Sequence, residues 1–282
     1  MAVKVVTDSL SDITSDMAEE LGITIVPLTV FFGHEAFLDR VTITTDDFYR
    51  RLIHGDIWPT TTQPPPKDFA DVYEKLAEET DEILVITLSS KLSGTYQSAI
   101  GAKGMIKKEC RVEVIDSLTA AMGLGLVAIA TAREAQKGSG LDDMVKFVHR
   151  ATERSHFVAY FDTLKYLAKG GRIGKAQGLL GSMLSIKPML TIKEGEMSPV
   201  TRLRSQAAGM DYLYNFVTGF PNIELLAVEH TTLPDEADKL VERLSKSYPG
   251  EIIYRSTVSP VLGTYAGPNA IAVTVLEAEG ST

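Results

Sequence analysis

The stretch Ile83-Leu-Val-Ile-Thr-Leu-Ser-Ser-Lys-Leu-Ser-Gly-Thr-Tyr-Gln-Ser-Ala-Ile100 passes from an unbroken apolar run, through a hydroxyl-rich turn, into small residues at helical spacing. Residues 83–88 are rich in β-branched side chains and show no polar alternation. Such a run suits a strand buried on both faces of a parallel sheet better than a half-exposed one. At the turn, Ser93-Gly94 opens a helix whose first backbone N–H groups have no intrahelical partner. That positive end favours a carboxylate or a phosphate. Taken alone, Ser93 is equally well read as an ordinary N-cap, and the segment leaves both readings open.

The pattern of strand, polar turn and helix recurs through the first half of the chain. Residues 3–6 predict a strand ending in Thr7-Asp8-Ser9, followed by a helix over Ser15–Leu21 that Gly22 stops. Residues 23–32 read as a β segment in which Pro27 signals an edge or a bulge. Residues 45–53 carry acids first and bases last, as a dipole-matched helix should. The prolines of 58–66 forbid helix and central strand and predict a stiff, hydroxyl-bearing loop. A helix over 67–80 leads to the apolar run, and a strand over 112–115 ends in Asp116-Ser117. In an open parallel sheet the carboxyl ends of the strands converge on one edge, where ligands bind. Thr7-Asp8-Ser9, residues 89–93 and Asp116-Ser117 are therefore expected to meet.

After a helix over 141–154 the texture changes. A strand over 156–161, a hairpin over 187–200 around Lys193-Glu194-Gly195-Glu196, a helix over 202–218, a strand over Ile223–His230, a helix over 234–248 and strands over 251–257 and 270–276 complete a second unit. At 282 residues the chain is long for one core. The expectation is an α/β protein of two domains. Residues 1–155 would form an N-terminal parallel-sheet, Rossmann-like α/β/α domain, and residues 156–282 a C-terminal mixed-sheet α/β domain.

Composition excludes several function classes. A net charge of −9 argues against a nucleic-acid surface, which needs clustered Lys and Arg. The single cysteine, Cys110, can form no internal disulfide and fits a reducing cytoplasm. Residues 3–6 are strand-like where a secretory signal would carry a basic and then an apolar region. The longest apolar run, residues 118–132, falls short of the ~20 residues of a membrane span. The expectation is a cytoplasmic protein with no transmembrane segment.

Few recognisable catalytic signatures remain. Gly123-Leu-Gly125-Leu-Val-Ala128 matches G-x-G-x-x-A formally, yet residues 117–122 intervene between strand and glycine and would already be helical. Small residues there read as close helix packing. No Walker loop, G-x-S-x-G elbow, H-E-x-x-H or EF-hand loop is present. His34, His54, His149, His156 and His230 lack metal-like spacing, so no metal is expected. His230 alone falls at the carboxyl end of a predicted strand. Residues 163–193 contain no acid but hold Lys165, Lys169, Arg172, Lys175, Lys187 and Lys193. This local reversal of sign reads as a solvated loop, or as a contact for phosphate or an acidic partner, with Gly170-Gly171 allowing close approach beside Arg172.

The order of Thr7-Asp8-Ser9, Pro59-Thr60-Thr61-Thr62-Gln63-Pro64, Ser93-Gly94-Thr95, Val114-Ile115-Asp116-Ser117, Gly170-Gly171-Arg172-Ile173, Lys187-Pro188 and residues 260–268 resembles the DegV family over nearly the whole chain. The resemblance implies a long-chain fatty acid, such as palmitate or stearate, buried between two α/β domains, with no further cofactor. It implies a non-catalytic role as the binding subunit of a bacterial fatty acid kinase, presenting the acyl carboxylate to a separate ATP-using kinase subunit. Carried over residue by residue, it places Thr61, Thr62, Ser93 and Gly94 at the carboxylate and gives Arg172 to the phosphorylated product and kinase contact. Where the family usually reads Gly-Thr-His-Thr-Gly-Pro-Gly, this chain reads Gly263-Thr-Tyr-Ala-Gly-Pro-Asn269. Tyr265 at the histidine position donates a hydrogen bond but does not become cationic near neutral pH. Residues 118–130 and 179–190 are expected to wall the tunnel. The competing readings are a hydrolase or transferase using Ser93 as nucleophile, for which no base is evident in the sequence, and a small-anion sensor.

Overall fold

The computed structural model describes residues 2–182 and 186–280. The first half runs β1 (Lys4–Asp8), α1 (Ser15–Leu21), β2 (Ile23–Val26), β3 (Thr29–Phe32), β4 (Glu35–Leu38), α2 (Thr45–His54), β5 (Thr60–Thr62), α3 (Pro66–Leu76), β6 (Glu82–Thr87), α4 (Thr95–Ala102), β7 (Arg111–Asp116), α5 (Met122–Gln136) and α6 (Leu141–Glu153). Four of these strands form an all-parallel sheet in the order β2-β1-β6-β7. The apolar run supplies β6, an inner strand on which Ile83, Leu84, Val85 and Ile86 have no exposed surface. Local chemistry sets the helix ends. Thr14 and Thr44 accept the N–H groups of Met17 and Asp47, and Gly22 closes α1 in the left-handed conformation at φ 67°.

Two local expectations are corrected here. Residues 23–32 are two strands, because Pro27 removes a donor between them; β2 is an edge of the parallel sheet, whereas β3 joins an antiparallel sheet in the order β4-β3-β5. The region read as a stiff loop contains β5, a three-residue edge strand paired with β3 between Pro59 and Pro64.

The second half runs β8 (Ser155–Tyr160), α7 (Lys165–Lys169), a 3₁₀ stretch (Gly174–Ser182), β9 (Lys187–Lys193), β10 (Glu196–Leu203), α8 (Gln206–Thr218), β11 (Ile223–His230), α9 (Pro234–Ser247), β12 (Ile253–Thr257), α10 (Pro260–Ala266) and β13 (Ile271–Glu277). Its six-stranded sheet has the order β10-β9-β8-β13-β11-β12 and is mixed, with β11 and β12 parallel and the other pairs antiparallel. Arg202 and Leu203 end β10 opposite Pro188 and Lys187, so the helix expected from 202 starts only after Ser205, whose side chain caps Ala208. The sequence reading missed α10 altogether; Pro260 takes its first turn, where a missing N–H costs nothing.

Strand alternation gives this sheet two different faces. Val158, Tyr160, Leu226, Val228, Val273 and Val275 pack with Leu213, Val217, Leu240 and Leu244 of α8 and α9. Ala159, Ala227 and Ala272 point the other way, and α5 packs on this side while also contacting β1 of the parallel sheet. Burial of α5 on all sides over residues 122–132 explains its glycines. A Cβ at Gly125 would stand 2.9 Å from Met122 Sδ and closer still to the Ser11 carbonyl. The residues before it are not helical as expected: 117–121 form an irregular turn with Leu118 and Ala121 at positive φ.

Candidate functional site

The three strand ends do converge, but two of them tie the edge together rather than face a ligand. Asp8 accepts the N–H groups of Leu88 at 2.8 Å and Leu10 at 3.0 Å, and Thr7 donates to the Ile86 carbonyl at 2.9 Å. Asp116 accepts from Ser90 and Leu118. These bonds fix the turn after β6. Burial pushes the Asp8 carboxyl up to about 7 against the two amides that stabilise its charge.

The turn so fixed borders a cavity. Its atom-free space, open solvent at the mouth included, is about 840 Å³. Leu88, Leu92 and Ser93 line it from the turn, Ala120 and Ala121 from the approach to α5, Val261, Leu262 and Tyr265 from α10, and Ala159 and Ala272 from the six-stranded sheet. Ala159, Ala272 and Glu229 are register partners across β8, β13 and β11, so their side chains stand in one row on the cavity face. Two of the three end at Cβ. That row leaves room which larger side chains would have filled.

Apart from Glu229, the polar lining is Thr61, Ser93, Arg172 and Tyr265. Thr61, Tyr265 and Arg172 are linked to one another. Thr61 Oγ1 and the Tyr265 hydroxyl share a hydrogen bond. The Arg172 guanidinium lies 5.1 Å from the centre of the Tyr265 ring and donates to the carbonyls of Leu92 (3.1 Å) and Gly170 (2.8 Å). Ser93 Oγ stands 2.9 Å from Thr95 Oγ1, just before α4. Gly94, not Ser93, takes the N-cap position of that helix and gives it no side-chain cap. A close approach holds the group in place: a Cβ at Gly170 would lie within 2.7 Å of Tyr265 Cε1.

Of the residues expected at a carboxylate, the cavity thus gathers Thr61, Ser93 and Tyr265, and not Thr62 or Gly94. Thr62 follows Thr61 in a strand, so it points to the opposite face, and it is exposed. Tyr265 sits on α10. Arg172, expected to serve a partner rather than the tunnel, lines the cavity and is exposed as well. His230 is buried outside the lining; burial, then the Arg255 charge, holds its imidazole below the usual range. Ala120 and Ala121 bear out part of the expected 118–130 wall. The 179–190 wall is corrected: none of its described residues lines the cavity, and positions 183–185 lie outside the described residues.

Sequence reasoning missed Ala159, Ala272 and Glu229. The available signal was the period-2 placement of small or acidic residues in otherwise bulky strands. Part of the basic segment has partners within the chain: Lys169 and Lys165 lie 3.8 and 5.6 Å from the centre of the Trp58 ring, Lys175 pairs with Glu194 and Lys187 with Asp162. Among the described residues, no group of three or more His, Cys, Asp or Glu is placed to hold a metal, and no helix is long and apolar enough to cross a membrane.

Residues 2–278 match the family model described as "Uncharacterised protein, DegV family". The chain is 36% identical over 275 residues to a DegV domain-containing protein of Caldanaerobacter subterraneus subsp. tengcongensis, covering 96% of this chain and 97% of that one. The structure of a DegV family protein from Thermus thermophilus, described by its fatty acid binding, aligns with a TM-score of 0.90 at 30% identity, over 99% of this chain and 100% of the other. DegV of Bacillus subtilis, described as a fatty acid binding protein, aligns with the same TM-score and identity over 98% and 100%.

Proposed function

The chain belongs to the DegV family, and we propose that it binds a long-chain fatty acid such as palmitate or stearate, as its Thermus and Bacillus relatives are described to bind fatty acids. The observation that carries the reading is an apolar cavity whose polar lining, Glu229 aside, is three hydroxyls and a single guanidinium, with Thr61, Tyr265 and Arg172 in mutual contact. That composition matches one carboxylate at the end of a hydrocarbon chain. Burying about 15 methylenes at ~0.8 kcal/mol each gives roughly 12 kcal/mol gross, against ~1.5–3 kcal/mol for a hydrogen bond to a charged group. The tail supplies affinity, and Thr61, Ser93, Arg172 and Tyr265 supply selectivity for the acid.

In this reading the ligand lies between an N-terminal domain of residues 1–155 and a C-terminal domain of residues 156–282. The protein acts in the cytoplasm and has no catalytic centre of its own. It presents the carboxylate to a separate ATP-using fatty acid kinase, where a carboxylate oxygen attacks the γ-phosphorus, ADP leaves and an acyl phosphate forms. Arg172, exposed at the cavity, is the cation that would meet the new phosphate. The serine-hydrolase reading has little support: Ser93 Oγ has the Thr95 hydroxyl as its neighbour, the described lining contains no histidine, and its one carboxyl is engaged by the Met122 N–H.

Titration of delipidated protein with palmitate and with hexadecanol tests the assignment. The acid should bind more tightly by ~1.5–3 kcal/mol, the value of a charged hydrogen bond. Equal affinities would contradict the head-group assignment, and failure to bind either would contradict the acyl reading as a whole.

A further inference from the structure

Glu229 is the one acidic residue in the described cavity lining, and its side chain is otherwise enclosed, with 1% of the residue exposed. Its Oε2 accepts the N–H of Met122, the first residue of α5, at 3.1 Å. The same carboxyl is within hydrogen-bonding reach of Asp12, which has no exposed surface and lies 217 positions earlier in the chain. Asp12 Oδ1 accepts the Ser259 N–H at 3.0 Å and lies 3.3 Å from Arg40 Nη2, whereas Oδ2 makes no hydrogen bond, although the Ser259 hydroxyl, itself without a partner, stands beside the carboxyl. A bare carboxylate oxygen in a dry interior is costly.

Counting charge leads to the same place. The other ionisable groups facing the pair are Asp8, Asp39, Arg40 and Tyr49. Asp8 is held by the amides of Leu88 and Leu10, Asp39 by the Ser9 hydroxyl and the Val261 N–H, and the Tyr49 hydroxyl donates to the Val258 carbonyl. Arg40 is then the one cation in this group, and it faces two carboxyls that lack full satisfaction. One proton between Asp12 Oδ2 and Glu229 gives the bare oxygen its partner and leaves the remaining negative charge opposite Arg40.

We propose that Asp12 and Glu229 hold one proton between them at neutral pH, and that this proton keeps the cavity wall uncharged, so that its loss at alkaline pH weakens the hold on an apolar chain. The second half of this inference rests on the acyl reading. Burial, followed by the neighbouring Asp12 charge, pushes the Glu229 carboxyl well above its ordinary range, in the direction the geometry requires.

The test uses the full chain and Glu229→Gln, whose amide supplies permanently the hydrogen that the proton supplies and leaves the charge on Asp12 opposite Arg40. At pH 7 the infrared spectrum of the wild type should contain a protonated-carboxyl C=O stretch that Glu229→Gln lacks; absence of that band overturns the shared proton. Palmitate affinity of the wild type should fall with rising alkalinity, by at most tenfold per pH unit for one proton, while Glu229→Gln stays comparatively flat. Superimposable pH profiles for the two proteins overturn the link to the ligand. If the wild type takes up no fatty acid at any pH, the acyl reading fails and the link falls with it, and the infrared band alone still decides the proton.

Discussion

Replacing Ala272 by Leu probes the row of small side chains that gives the cavity its volume. Ala272 lies on β13 between Ala159 and Glu229 and contributes only a Cβ to the lining. Leucine adds three carbons that have nowhere to go except into the cavity. If an acyl chain occupies that space, about three methylenes are displaced at ~0.8 kcal/mol each, so palmitate binding should weaken by about 2.4 kcal/mol, roughly 50-fold. The delipidated protein should respond with the opposite sign. Overpacking a filled core costs ~1–3 kcal/mol, but here the new methyls enter open space and gain apolar burial. Calorimetric titration with palmitate and with laurate, together with thermal melts of the delipidated proteins, measures both effects. Expected are a large loss for palmitate, a smaller one for the shorter acid, and an unchanged or higher melting temperature. A lower melting temperature with unchanged palmitate affinity would refute the reasoning, because the space at Ala272 would then be neither open nor used by ligand.

Ser93→Ala should weaken fatty-acid binding by about 1–3 kcal/mol and leave it detectable, because the tail dominates; unchanged affinity would reduce Ser93 to a local turn residue. Arg172→Ala should slow acyl-phosphate formation by the kinase and, because the guanidinium lines the cavity, also cost about 1.5–3 kcal/mol in carboxylate binding; loss of neither function would remove it from the site. Tyr265→His should tighten binding relative to the wild type at the acidic end of about pH 5.5 to 8, where an imidazole is cationic; parallel curves would place residue 265 away from the head group. Asp8 and Asp39, pushed up to about 7 by burial, keep protons in the folded chain that the unfolded chain has released. Folding stability should therefore fall as pH rises from about 4 towards 7, by up to ~1.4 kcal/mol per unit for each group. Denaturant titrations at pH 5 and 7 check the sign, and Asp39→Asn should flatten the slope.

The architecture was legible where one local signal sufficed. The apolar run of 83–88 announced an inner parallel strand, and Gly22 and the acid-first, base-last pattern of 45–53 placed helix ends within a residue or two. Legibility failed where tertiary partners decide. Nothing near Thr60–Thr62 says that β3 will pair with it, and α10 has too few periodic residues to stand out before Tyr265 and its neighbours are packed. Within the site, the family motifs found Thr61, Ser93, Arg172 and Tyr265. Thr62 was chosen beside Thr61 only because a motif ignores the alternation of a strand. Asp8 and Asp116 looked like ligand groups because a carboxylate that ties backbone amides and one that meets a ligand have the same sequence signature. Ala159, Ala272 and Glu229 escaped notice because a cavity is defined by what side chains leave empty, summed over strands far apart in sequence.

Mass spectrometry of whatever is released when the purified protein is denatured tests the central claim most directly. A long-chain fatty acid of about 16 to 18 carbons, released intact and close to one equivalent per chain, is the predicted result. A small polar anion without an acyl chain, or an acyl group that stays covalently attached to Ser93, would contradict it.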